Sequence, residues 1–202
     1  LTHLPRIKKP IKLMYQYFLF FLHKNEHLFN AKFSLNSPNL TAHTFFGYYD
    51  KSPINNAGYL LCHESSLDTS KYPDPHTPIR ICLFSPDLKD LLWSDSTTTY
   101  NWQQGARLHW LNDDLFIYND FDTTRSIFIS KVISSKSLSQ IKSFSFPVQD
   151  SFQTDFFLSI NYRRLMTLRP DYGYRNLPKM TDLELHHLST DGIWRVDYQT
   201  GD

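Results

Sequence analysis

One pattern narrows the fold more than any other: a pair of short apolar runs joined by a turn recurs three times along the chain. The first pair is Thr44–Tyr49 and Tyr59–His63, around Asn55-Asn-Ala-Gly58. The second is Ala106–Leu111 and Leu115–Asn119, around Asn112-Asp-Asp114. The third is Asp155–Ile160 and Arg164–Leu168, around Asn161-Tyr-Arg163. Runs rich in β-branched and aromatic residues, punctuated by Asn, Asp and Gly, are hairpin signals. A third alternating run follows each pair, at Ile79–Phe84, Ser126–Lys131 and Gly192–Asp197. After two of them comes a fourth, Leu91–Asp95 and Ile141–Phe146. Four antiparallel strands repeated every ~50–60 residues form the blade unit of a β-propeller. A sandwich or an open meander would use the same strand spacing. The hairpin-plus-two order recurring in register favours the propeller. A ring takes roughly four to eight blades, so three fit a chain cut from a longer one. The expected fold is all-β: a partial β-propeller of about three four-stranded antiparallel blades over residues 43–202, preceded by an N-terminal helix.

Ahead of the repeats, residues 1–34 read as a separate basic helical segment. Its first 32 residues carry Arg6, Lys8, Lys9, Lys12, Lys24 and Lys32 against Glu26 alone, in a chain whose total charge is only +1. That small total argues against a nucleic-acid binder driven by phosphate neutralisation. The segment's apolar stretch, Leu13–Leu22, is far short of the ~20 residues needed to cross a bilayer. It also lacks the small-residue cleavage site of a signal peptide. Three readings stand: a helix packed on the domain's own flank, an interfacial helix in peripheral membrane contact through residues 8–23, or an uncleaved signal. Cys62 and Cys82 lie inside apolar runs and read as buried small hydrophobes rather than a disulfide frame. The expected compartment is the cytoplasm, peripheral to the inner membrane if the helix is interfacial.

Four stretches carry a resemblance. Asp191-Gly-Ile-Trp-Arg-Val-Asp-Tyr-Gln-Thr-Gly201 resembles the strand-and-turn of bacterial propellers of the TolB and oligogalacturonate-lyase kind. His43–Pro53, Asn101–Leu111 and Arg163–Tyr174 are similar to segments of bacterial propeller proteins associated with surface-polysaccharide loci. The resemblance spans about residues 43–200. It implies a glycan-binding or glycan-processing role in surface-polysaccharide biosynthesis, with no particular reaction attached. The related lyases hold a divalent metal on the propeller axis with histidines and a glutamine. His43, His63, His109, Gln103 and Gln104 are of the right type, but the lyase ligand spacing does not map onto them. No metal and no cofactor is therefore assigned.

Alternating strand direction would send the long connections to one face: Glu64–Pro78, Asp95–Gly105, Asp120–Arg125, Pro147–Thr154 and Arg169–Asp191. Long loops are where binding groups concentrate. The candidate ligand-binding residues on that face are His43, His63, Glu64, Trp102, Gln103, Gln104, Arg107, Asp120, Arg125, Arg169, Asp171 and Tyr172. Arginine forks suit carboxylate or phosphate, amides suit hydroxyls, and Trp102 and Tyr172 offer platforms for sugar faces. His63 and Glu64 are strand neighbours pointing to opposite sides, so they do not serve one substrate atom. His63 reads either as a hydrogen-bonded strand-end histidine or as a metal or acid–base group. Asp50-Lys51 reads as a salt-bridged turn, and Tyr48 and Tyr49 as packing between blades. No Walker loop, nucleophile elbow or dinucleotide glycine pattern is present. Whether the chain is an enzyme stays open. The expected partner is a carbohydrate. The alternatives are a non-catalytic protein-interaction scaffold at the membrane surface and a metal-dependent polysaccharide lyase or hydrolase.

Overall fold

A computed structural model describes residues 5–22, 42–187, 189 and 191–202, with side chains of the first helix described from residue 10 onward. Residues 23–34 of the expected basic segment, with Lys24, Glu26 and Lys32, lie outside the described residues. The helix α1 spans Pro5–Leu22. A proline at a helix start has no N–H to leave unpaired, whereas Pro10 inside the helix removes one backbone bond. No described helix is long and apolar enough to cross a membrane.

The second unit, Ser37–Asp202, is mostly β and contains three antiparallel sheets. The first takes the order β1 (His43–Phe45), β2 (Leu60–Ser65), β3 (Ile79–Phe84), β4 (Leu91–Thr97). Cys62 and Cys82 are cross-strand partners in it, and both are buried as expected. The second sheet repeats the order with β5 (His109–Trp110), β6 (Leu115–Asp122), β7 (Ile127–Ser134) and β8 (Ser139–Phe144). The third holds β9 (Asp150–Phe152), β10 (Phe156–Ile160) and β11 (Ile193–Asp197). The turn at Asn55–Gly58 forms as its residues demand: Gly58 takes φ +87° and its N–H donates to the Asn55 carbonyl at 3.0 Å.

Strand alternation builds the core. Phe116 and Tyr118 of β6 pack with Leu61, Ile81 and Leu83 of the first sheet. Ile117, between them, packs with Phe144, Val196 and Phe157, two of which belong to the third sheet. The middle sheet is therefore buried on both faces. Each fully buried Phe, Ile or Leu contributes roughly 1.5–3 kcal/mol. The third sheet buries one face only. On its other face Phe152 is 57% and Ile193 74% exposed, and the Arg195 guanidinium lies 4.4 Å over the Phe156 ring.

Several expectations are corrected. The third repeat starts at Asp150, not Asp155, and Arg164–Leu168 is part of a helix, α2 (Tyr162–Leu168), rather than a second strand. Asn161 is the reason: its side chain accepts the Arg164 N–H at 3.0 Å and caps the helix instead of turning a hairpin. Tyr162 and Met166, four residues apart, then bury one helical face. A short helix α3 (Asp182–His186) follows, closed by a Thr181–Glu184 capping box, and Arg163 grips Glu184 at 2.7 and 3.2 Å. β1 and β5 are shorter than expected, because Gly47 at φ +128° and Arg107 at φ +54° break the extended backbone beside them. Asp50 and Lys51 form no local turn pair; they reach Arg107 and Asp150 on other segments. Tyr49 is 86% exposed and does not pack between sheets.

Candidate functional site

Three connecting segments meet around Trp102: residues 66–78 after β2, 98–108 after β4, and 169–181 after α2. Asn101 holds the meeting point. Its buried carboxamide oxygen accepts the Gln103 and Gln104 N–H groups at 3.0 and 2.7 Å, while its NH2 donates to the Tyr172 carbonyl at 2.8 Å. Asn176 ties the third segment back to the second by donating to the Thr98 hydroxyl at 2.9 Å. Trp102 is then fixed on several sides. Its indole N–H donates to the Lys71 carbonyl at 2.7 Å, and the rings of Phe45 and Tyr100 meet it edge-on at 5.8 and 5.2 Å. Tyr100 is anchored in turn by its hydroxyl, which donates to the Thr77 carbonyl.

The indole borders three open hollows. One of about 410 Å³ is lined by Lys71, Tyr72, Asn101, Gln103 and Asp171. One of about 670 Å³ is lined by His43, Phe45, Leu67, Asp68 and Thr69. The last, about 250 Å³, lies against Tyr72, Asp74 and Tyr100. The Asp68 carboxyl is held below its ordinary range by the hydroxyl and N–H of Ser70, and Asp74 by the His76 N–H and the Thr77 hydroxyl. Both are therefore ionised acceptors near neutral pH. Arg175 stacks its guanidinium 4.0 Å over the Tyr72 ring, with a buried Nε that has no hydrogen-bond partner and no ion pair among the described residues.

A few residues further along the 98–108 segment, the surroundings reverse. His63 is fully buried; its Nε2 accepts the Ala106 N–H at 3.0 Å and its Nδ1 faces the Phe45 carbonyl at 3.3 Å. These partners assign a neutral ring with the proton on Nδ1. Arg107, its side chain 4% exposed, donates to the Gln149 carbonyl at 2.7 Å and to Asp50 at 3.1 Å. His109 uses both nitrogens as well, Nδ1 toward the Arg107 carbonyl and Nε2 accepting from the Ser151 hydroxyl. Burial pushes both histidines down to about 4. Gly105 makes the approach: it sits at φ +59°, and a Cβ there would stand 2.2 Å from the His63 ring.

The twelve sequence candidates thus separate. His43, Trp102, Gln103 and Asp171 come together at the hollows. Tyr172 lends its backbone to the same junction, and Arg169 stacks on its ring at 5.0 Å. His63 and Arg107 belong to the buried contact between sheets, and Gln104 is half-buried beside Arg107, its side-chain oxygen screened from solvent and unpartnered. Glu64 points to the opposite side of β2 and pairs with Arg80. Asp120 takes Lys131 and the Thr97 hydroxyl, and Arg125 pairs with Asp122 at the β6–β7 turn. Sequence reasoning passed over Lys71, Tyr72, Tyr100 and Arg175. Lys71-Tyr-Pro73 in a long polar loop was a signal for the first two; nothing in the sequence links Arg175 to Tyr72. Among the described residues no three His, Cys, Asp or Glu side chains converge to hold a metal ion. Comparison of the chain with family models, with curated proteins and with solved structures found no match.

Proposed function

We propose that the three sheets are consecutive β-propeller blades and that the Trp102 cleft binds carbohydrate, in bacterial surface-polysaccharide metabolism. The observation that carries the binding reading is Trp102 itself, a pinned aromatic plate bordered by hollows of about 410, 670 and 250 Å³. A sugar ring needs an apolar plate for its C–H face and polar groups for its hydroxyls. Here the polar groups are Gln103, Asp68, Asp171 and Lys71. Arg175, stacked over Tyr72, suits an anionic substituent on the sugar, because its buried Nε has no partner among the described residues. The blade reading is supported by three meanders of the same strand order, with the middle one sandwiched between its neighbours.

The cleft supports binding more directly than catalysis. The two buried histidines are neutral, and each has both nitrogens engaged. The test is a glycan array probed with the whole chain and with Trp102→Ala. Binding to defined glycans that falls at least tenfold in the variant is the expected result. Glycan binding unchanged by the substitution, or none by the unaltered chain, overturns the reading.

A further inference from the structure

We infer that α1 is an interfacial helix that docks on an anionic lipid surface, independently of what the Trp102 cleft binds. Between residues 5 and 22 the chain carries Arg6, Lys8, Lys9 and Lys12 and no acidic residue. The helix is about 27 Å long at ~1.5 Å per residue, and no described helix is long and apolar enough to cross a membrane. Its apolar side chains are nevertheless exposed: Met14 by 70%, Phe18 by 60% and Phe21 by 75%, with Ile11, Tyr15, Tyr17, Phe20 and Leu22 exposed as well.

The arrangement is directional. Ile11, Met14, Phe18, Phe21 and Leu22 recur at spacings of three and four and so share one face. Lys12 and Gln16, four apart, lie on the other, where Phe20 continues their row. Tyr15 and Tyr17 add amphipathic rings that favour the boundary between headgroups and acyl chains. Contiguous apolar surface of this size is rarely left in water. A cationic, acid-free helix that is too short to span fits the plane of a bilayer whose headgroups are negative, because lysines meet phosphate while the aromatic face enters the acyl boundary. Charge complementarity therefore selects anionic lipid over a neutral apolar partner.

The test is sedimentation of the whole chain with phosphatidylcholine vesicles, with and without phosphatidylglycerol. Binding should require phosphatidylglycerol. Lys8→Gln, Lys9→Gln and Lys12→Gln together should weaken it about 100-fold. Phe18→Ser with Phe21→Ser should weaken it at least tenfold, without loss of the far-ultraviolet circular dichroism of the sheets. In a Phe18→Trp chain, the emission added to that of the four native tryptophans should shift to the blue on adding the anionic vesicles and be quenched by brominated lipid. Equal binding to neutral and anionic vesicles, or none to either, overturns the proposal. So does a difference emission, the Phe18→Trp chain minus the unaltered chain with its four tryptophans, that is already blue-shifted without vesicles and unmoved by them, because protein then covers that face.

Discussion

Trp102 and Arg107 are five residues apart in one connecting segment, yet they live in opposite environments. At Trp102 the backbone spends its hydrogen bonds on holding a ring at the edge of open space. At Arg107 the guanidinium, His63 and His109 are buried, and they are engaged by carbonyls, the Ala106 N–H, a carboxylate and a hydroxyl. The boundary between the two is Gly105, whose φ of +59° turns the chain from the cleft into the core. Polar residues of the same types can thus border an open cleft or build the core within one loop. Burial and saturation of hydrogen bonds, not chemical type, tell them apart.

The contrast can be broken at four points. Gly105→Val should cost most, about 4–5 kcal/mol, from a β-branched residue at positive φ and a side chain driven into the His63 ring; urea unfolding measures it. Acid acts on the same core. His63 and His109 are held at about 4 in the folded chain against an ordinary 6.5, so the unfolded chain binds the extra protons in between. Stability is full above about pH 6.5 and drains away toward pH 4, by about 2 kcal/mol per histidine between pH 7 and pH 5. Urea midpoints across that range check it, and a flat profile would show that neither ring is buried. Arg107→Met should cost about 2–3 kcal/mol by stranding the Gln149 carbonyl and Asp50, less than a fully buried pair because Asp50 is 38% exposed. Trp102→Ala should move the unfolding midpoint least, about 1 kcal/mol, while removing the carbohydrate binding proposed for the cleft. A Trp102→Ala chain that unfolds as readily as Gly105→Val would erase the distinction between the two regions.

Much of the strand plan was legible because hairpins advertise themselves through local turn chemistry. Asn55–Gly58 and Asn112–Asp114 turn where their side chains predict, and β2, β3, β6 and β7 form over the runs Tyr59–His63, Ile79–Phe84, Leu115–Asn119 and Ser126–Lys131, with ends that shift by up to three residues. The third repeat misled for a local reason. Asn161 can open a turn or cap a helix, and the choice rests on Tyr162 and Met166 finding a buried face. The cleft was half legible. Trp102 and Gln103 stand in a polar, aromatic stretch of a long connection, where binding groups are expected. Arg107 stands in the same stretch, and its burial depends on Asp50 and Gln149, 57 and 42 residues away. No local pattern carries a partnership at that separation. The same is true of Arg175 and Tyr72, which meet only because two loops cross.

One feature of the first sheet gives a handle that needs no ligand. Cys62 and Cys82 face each other across β2 and β3, both buried and both free thiols. The Cys82 thiol beside it and burial push the Cys62 thiol far up, so its reactive thiolate is scarce while the strands stay together. Alkylation at neutral pH should then be gated by parting of β2 from β3. The cysteine pair is a clock built into the sheet, counting its openings one chemical event at a time.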